Sequence, residues 1–420
     1  MPITKASQNP LHSAILLANE IDKKALISKL IGDKSLNILP FLSQKKGLVF
    51  SDQAINEVIA EEERHDSITI ALSQKRKLKT FSSGERKKLF LKHCLAQNPD
   101  FLVLDNPLDH LDIASRAELK EFLKEIKDKI TLIQLANRKT DILDFIEQWY
   151  EVDVPFGELV PFQVENFSSK KDKCSDFSLL IDDSNHAAQE LIRLENVFLS
   201  YGENHVLDGI SWTIGQNEFW QLIGPNGSGK SSMLAMLTGD NVKGYGQEVY
   251  LFGKKKGTGE SVWDIKKKIG YFSVALLDLF KSDQKVVDMV LSGFYDSIGL
   301  YVKPTDTQQR IASQWLSLVG LGDKGNDRFS KLSEGGRRIV LILRAVIKNP
   351  PLVLLDEPVE GLDEKNAQWV IQLINTLVEQ TTMTIVYISH RTEPDLDAAR
   401  IFELVPGEKG ASGNIQEALR

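Results

Sequence analysis

The stretch GPNGSGKSS, from Gly224 to Ser232, has the spacing Gly-x-x-x-x-Gly-Lys-Ser. That spacing suits a phosphate cradle. Gly224, Gly227 and Gly229, with Asn226 and Ser228 between them, let backbone amides close on phosphate oxygens. A helix starting at the loop adds the partial positive charge of its N-terminus. Lys230 then reaches the β- and γ-phosphates, Ser231 can ligate Mg2+, and Ser232 completes the nucleotide-contacting run.

Two more segments carry chemistry. PLVLLDEP ends in Asp356, suited to holding Mg2+, and Glu357, suited to polarising an attacking water as general base. TIVYISH ends in His390, placed to hydrogen-bond a γ-phosphate and position that water. Tyr201 lies 23 residues before Gly224 and offers a ring for adenine to stack on. The other histidines show no metal-ligand spacing.

These residues need rigid carriers, and the pattern supplies them. FWQLI before the loop, LVLL before Asp356 and TIVYIS before His390 read as buried parallel strands. The run after Lys230 reads as a helix. LSEGG (Leu332–Gly336) opens another apolar helix, stopped by Pro350, and Ser333 and Gly335 there form a second anion-binding cap.

The chain repeats itself. TFSSGERKKLFLKHCLAQNPDFLVLDNPLDHLD (Thr80–Asp112) echoes KLSEGGRRIVLILRAVIKNPPLVLLDEPVEGLD (Lys331–Asp363). A constant offset of 251 residues separates Ser82 from Ser333, Gly84 from Gly335, Asp105 from Asp356 and Asp112 from Asp363. The chain therefore reads as two related halves. An opening stretch, LLANEIDKKALISKLIGDK (Leu16–Lys34), then aligns with the phosphate loop. Lys23 falls opposite Lys230 and Asn19 opposite Asn226, but the three loop glycines meet Leu17, Glu20 and Asp22, and Ser231 meets Lys24. The first half is a decayed and shortened copy, without the strands expected ahead of the loop in the second.

The boundaries expected are residues 1–160 for the degenerate half, 161–190 for a polar, acidic linker and 191–420 for the complete half. Residues 275–331 read as a mainly helical insertion. The chain has 420 residues, enough for two or three domains, and its net charge of −7 gives no global attraction to nucleic acid or anionic membrane. The two cysteines, Cys94 and Cys174, have no metal spacing, and with no secretion signal a disulfide is not expected. No apolar run approaches the roughly 18 residues of a membrane helix. A cytoplasmic location is the expectation, at the inner face of the membrane if another chain supplies a permease.

Together these motifs resemble the ATP-binding cassette family over nearly the whole chain. The resemblance implies an α/β fold of two tandem P-loop domains, each a parallel sheet with a helical subdomain, the first truncated. It implies Mg2+-dependent ATP hydrolysis. It also implies head-to-tail packing, with Ser82 and Gly84 facing the Lys230 site, Ser333 and Gly335 facing the decayed loop, and Asp112 and Asp363 as the loop aspartates following each acidic strand. The first half then serves as a lid. Its general-base position holds Asn106, an amide, and its histidine position holds Asn137. Two positions depart from the family. Val274 stands where a Mg2+-binding glutamine is usual, and the last signature glutamine is Gly336 in one half and Glu85 in the other. Stretches such as GYGQEVYLFGKKKGTGESVWDIKKKIGYFS are similar to tandem cassettes linked with molybdate transport and photorepair, though no residue here reads molybdate. The alternative is a soluble tandem cassette acting on ribosomes or nucleic acid. Its support is the basic stretch KRKLKTFSSGERKK (Lys75–Lys88), weighed against an ordinary solvated face.

Overall fold

The computed structural model describes residues 11–32, 39–65, 76–153, 158–162, 190–280, 283–390, 392–393, 395–396 and 400–417. The chain forms two compact units. One is Met1–Ser168 with Gly361–Glu364, the other Ser169–Glu360 with Lys365–Arg420. The expected linker, 161–190, falls almost wholly outside the described residues, as do Lys75 and Cys174. Cys94 is a buried free thiol.

In the first unit β1 (Ser13–Leu16) leads into α1 (Lys23–Ile31), β2 (Gly47–Phe50), α2 (Asp52–His65) and α3 (Ser83–Ala96). Then follow β3 (Phe101–Asp105), α4 (Ile113–Ile126), β4 (Thr131–Ala136), β5 (Gln148–Asp153) and β6 (Glu158–Pro161). The sheet order is β2-β3-β4-β1-β5-β6, parallel but for β6, which runs against β5. Alternate residues of β3 serve opposite faces. Phe101 and Val103 pack with Leu26 and Leu30 of α1, while Leu102 and Leu104 pack with Leu91 of α3 and Leu123 of α4. Burial on both faces is why these strands read as unbroken apolar runs.

The second unit opens with β7 (Glu190–Tyr201), β8 (Asn204–Gly215), β9 (Phe219–Ile223), α5 (Lys230–Leu237), β10 (Glu248–Leu251) and β11 (Lys254–Lys255). It continues through α6 (Val262–Lys266), β12 (Ile269–Ser273), α7 (Leu276–Leu279), α8 (Val286–Leu291), α9 (Asp306–Leu318) and α10 (Glu334–Val346). β13 (Leu352–Asp356), α11 (Glu364–Gln380), β14 (Thr384–Ser389), β15 (Arg400–Val405) and β16 (Ser412–Glu417) close it. Its main sheet is ordered β12-β13-β14-β9-β15-β16, the same arrangement as in the first unit. A second, antiparallel sheet, β11-β10-β7-β8, has no counterpart among the described residues of the first unit.

The two sheets of this unit are joined through aromatic packing. Trp212 of β8 stacks on Phe402 of β15 at 4.3 Å and meets Trp220 of β9 edge-on at 5.5 Å. That contact anchors the flanking sheet to the strand that carries the phosphate loop. Between β12 and α10 the chain is helical, through α7, α8 and α9, as the sequence led us to expect. In the first unit α2 occupies the corresponding place between β2 and α3. No helix among the described residues is long and apolar enough to cross a membrane.

Candidate nucleotide-binding site

In both units the central strand of the sheet leads into a helix whose first residue is a lysine, Lys23 for α1 and Lys230 for α5. Ligands in parallel sheets bind at the carboxyl ends of the strands, and this is where both lysines stand.

The two loops differ in backbone. Gly229 caps α5 at φ 94° and places no side chain over its amides. A Cβ on Gly224 would come within 2.6 Å of Ser228 Oγ and 2.9 Å of the Leu404 carbonyl, so no other residue fits there. Asn226 and Gly227 are exposed, and so is Ser231 in the first turn of α5; Ser228 is buried and Ser232 half-buried. The Lys230 ammonium folds back onto its own loop, donating to the Gly224 carbonyl at 2.6 Å and the Pro225 carbonyl at 3.1 Å. The N-terminus of α5 thus has no side-chain cap, and the Lys230 cation is held on the loop's own carbonyls.

At the equivalent place in the first unit Asp22 caps α1 at φ −69°, and its carboxylate accepts from the Ala25 amide at 3.0 Å. A carboxylate already fills the helix N-terminus that a phosphate would need. Lys23 donates to Asp105 Oδ1 at 2.8 Å, so the cation is also engaged.

The strand-end residues follow the same contrast. Glu357 sits at φ 51° and Asn106 at φ 42°, both in the left-handed region. Their amides donate to matching carbonyls of the next strand, Glu357 to Ile388 at 2.9 Å and Asn106 to Leu135 at 3.0 Å. The strained turn is therefore kept in both units while the side chain changes. His390, 8% exposed, directly follows β14, and its Nδ1 stands 3.6 Å from Glu357 Oε1. Asn137 directly follows β4. Its side-chain oxygen receives the Asn106 amide at 3.3 Å, and its backbone N–H donates to Asn106 Oδ1 at 3.2 Å. Two amides thus close on each other where the second unit keeps an acid and an imidazole.

Burial pushes the Asp356 carboxyl above its ordinary range, against the pull of Lys230. Burial also pushes Glu357 up; the nearby His390 opposes this and Glu360 adds to it. A carboxyl with a raised pKa is a better proton acceptor, which suits a general base. Ser273 at the end of β12 pairs in register with Asp356, and Val274 follows it.

Tyr201, 49% exposed, ends β7. Its hydroxyl accepts from Asn241 Nδ2 at 3.2 Å, and Lys243 Nζ lies 5.2 Å from its ring centroid. These contacts hold the ring beside the chain leaving the C-terminal end of α5. Sequence reading placed Tyr201 near the nucleotide but gave no sign of Asn241 or Lys243.

Residues 207–360 match a protein-family model described as ABC transporter. The Escherichia coli (strain K12) "ABC transporter ATP-binding protein ModF" is 36% identical over 333 residues, covering 76% of this chain and 68% of that protein. The chain belongs to the ATP-binding cassette family. An uncharacterized ABC transporter ATP-binding protein of Schizosaccharomyces pombe is 31% identical over 322 residues, 74% of this chain and 64% of its own length. The solved structure of "RNase-L Inhibitor" matches with a TM-score of 0.62 over 97% of this chain and 86% of its own, at 17% identity, a likeness of fold alone. This cassette protein is an α/β ATPase of the P-loop class.

The signature caps of the ABC ATPase are local N-caps in both units. Ser333 Oγ accepts from the Gly336 amide at 3.2 Å at the start of α10. Ser82 caps α3 in a capping box with Glu85, whose carboxylate accepts from the Ser82 amide and hydroxyl, each at 2.9 Å. Gly335 and Gly84 are both packed tightly: a Cβ would come within 2.2 Å of Asn366 Oδ1 in the first case and 2.7 Å of Ser115 Oγ in the second. Asp112 caps α4, accepting from the Ser115 amide at 2.7 Å, and Asp363 directly precedes α11.

Sequence reading missed a pair of buried cations in this ABC protein. Arg338 of α10 is 2% exposed and donates to the Pro358 carbonyl at 2.9 Å. Lys87 of α3, at the same 251-residue offset, donates to the Pro107 carbonyl at 3.3 Å and the Asp109 carbonyl at 2.8 Å. Each ties its signature helix to the turn after the acidic strand, and the repeat register held the signal that could have found them. The basic stretch around Lys87 is also internally matched. Lys79 pairs with Glu63 at 2.6 Å, Lys87 with Asp52 at 3.2 Å, and Lys88 with Glu118.

Proposed function

We propose that the second unit holds the one competent ATP site of this chain, and that its hydrolysis energises or regulates a transport process through a permease supplied by another chain. The observation that carries the reading is the contrast between matched positions. One unit has a glycine-built loop with Lys230 at its end and keeps Glu357 beside His390, while in the other Lys23 is ion-paired to Asp105 and Asn106 is hydrogen-bonded to Asn137. Transport enters through the resemblance and the relative's printed name, and molybdate as cargo through the resemblance alone.

ATP binds with its phosphates on Gly224–Ser232 and its adenine on Tyr201. Mg2+ would be held by Asp356 and Ser231 and would neutralise charge on the phosphates. The fit is chemical: Asp356 is a half-buried, partly desolvated carboxylate whose charge costs free energy without a cation, and Ser231 presents an exposed hydroxyl in the first turn of α5. Glu357 takes the proton of the attacking water, and His390 holds that water in line. The family resemblance gives Ser82 and Gly84 the part of a lid.

The test is to purify a tagged Glu357→Gln chain with ATP and identify what accompanies it. A membrane permease supports the transport reading and places the chain at the inner face of the membrane. Recovery of ribosomes or nucleic acid overturns it in favour of the soluble alternative, for which the tandem-cassette likeness is the support and the paired lysines around Lys87 are the argument against.

A further inference from the structure

The turn after Asp356 brings together three side chains that the hydrolytic reading uses only in part. The Glu360 amide donates to the Glu357 carbonyl at 3.2 Å, so residues 357 and 360 are the ends of one tight turn. His390 enters from the adjacent parallel strand, β14. One ligand atom each from Glu357, Glu360 and His390 lies within 4.8 Å of the other two, and the Glu357–His390 separation is 3.6 Å. Tetrahedral Zn2+ with bonds of about 2.0–2.2 Å needs ligand separations of about 3.3–3.6 Å, so one pair is already spaced for it. The half-buried Glu360 side chain hydrogen-bonds the Glu357 carboxyl, which keeps the third donor at the cluster.

The donor set decides the metal class. Two carboxylate oxygens and an imidazole nitrogen favour zinc, cobalt or nickel, whereas Mg2+ takes oxygen alone. The first unit supplies a control. Its matching positions hold Asn106, Asp109 and Asn137, a carboxylate between two amides, which is no set for such an ion.

We propose that Glu357, Glu360 and His390 form a binding site for one zinc-class divalent cation, which stops ATP hydrolysis while it is bound. The cation would occupy the lone pairs that Glu357 and His390 otherwise offer to water. Binding stands on the cluster itself; inhibition rests on the proposed roles of Glu357 and His390.

The experiment is calorimetric titration of Zn2+ into the metal-stripped full chain, with excess Mg2+ and no nucleotide. Wild type, Glu360→Gln and His390→Ala are compared, and Co2+ is used in parallel for its visible absorption. The expected result is a tight binding event in the wild type weakened on the order of a hundredfold in both variants, with loss of the tetrahedral Co2+ band in His390→Ala. Equal Zn2+ affinity in all three folded proteins overturns the site. A wild type that loses ATPase activity on Zn2+ addition and regains it with a zinc-selective chelator supports the switch. Full hydrolysis with Zn2+ bound overturns it. A wild-type chain that binds Zn2+ yet never hydrolyses ATP counts against the ATPase reading and leaves the site standing.

Discussion

The Lys23 ammonium lies 2.8 Å from Asp105 Oδ1, whereas the Lys230 ammonium turns back to the Gly224 carbonyl at 2.6 Å. Both lysines open a helix after the central strand, so the difference lies in their partners and not in their place in the fold. Lys230→Ala should therefore lower phosphate release about a hundredfold or more, while Lys23→Ala changes it less than about twofold. Initial rates on the two purified variants decide this, and equal losses would remove the asymmetry between the units.

Glu357→Gln keeps shape and removes the proton acceptor. Turnover should fall by about 10²–10⁴ while ATP binding persists. Filter retention of labelled ATP alongside phosphate release separates the two effects. Loss of both together would assign Glu357 to binding or folding.

The raised Asp356 carboxyl makes stability depend on pH. Its folded pKa lies above its unfolded value, so its favourable contribution is complete below about pH 4 and is lost as pH climbs through the folded pKa. Asp356→Asn removes that loss. Without nucleotide, the variant should melt a few degrees above wild type at pH 8, with the gap closing toward pH 4. A gap that stays constant with pH would show that burial of the charge is not its cause.

Arg338 is enclosed by the helix it belongs to and the turn it holds. Arg338→Ala should cost about 2–4 kcal/mol, since it opens space and leaves the Pro358 carbonyl without its donor. Pro358 follows Glu357, so turnover should fall as well. Arg338→Lys should recover part of both, because Lys87 performs the same bridge in the first unit. Urea midpoints and kcat on the two variants test it; failure of the lysine to recover either quantity would separate the two bridges.

Tyr201→Ala should raise KM for ATP several-fold with little change in kcat, since a ring on adenine acts before the chemical step. Tyr201→Phe keeps the ring and loses only the Asn241 bond, and should stay near wild type. A Tyr201→Ala variant with unchanged KM would free this residue from the adenine role.

Much of the catalytic architecture was readable because its spacing is short-range. The glycine loop, its lysine and the two apolar strand ends each occupy one continuous segment, and the repeat paired Asn106 with Glu357 at the 251-residue offset and Lys23 with Lys230 and Asn137 with His390 at offsets of 207 and 253. What escaped depends on long-range packing. Lys87 lay in a stretch weighed as a solvated face and Arg338 drew no reading, because a charged side chain is seldom buried unless a distant carbonyl receives it. The Trp212–Phe402 stack joins segments nearly two hundred residues apart, beyond any periodicity. The turn that sets Glu360 beside Glu357 depends on a left-handed residue that is not glycine, which no turn rule anticipates at a glutamate.

The Asp22 carboxylate over the first turn of α1 changes what the early half of the chain can respond to. On the proposed reading, a helix mouth sealed by its own side chain gives the same answer at every ATP concentration. On that reading, through a cycle of loading, cleavage and release the second unit gains and loses several negative charges at its loop, while the first has no comparable quantity to register. Heat-induced unfolding of the two halves should thus diverge as nucleotide is added, one transition climbing and the other standing still. The early half would then serve as an internal standard in that melt.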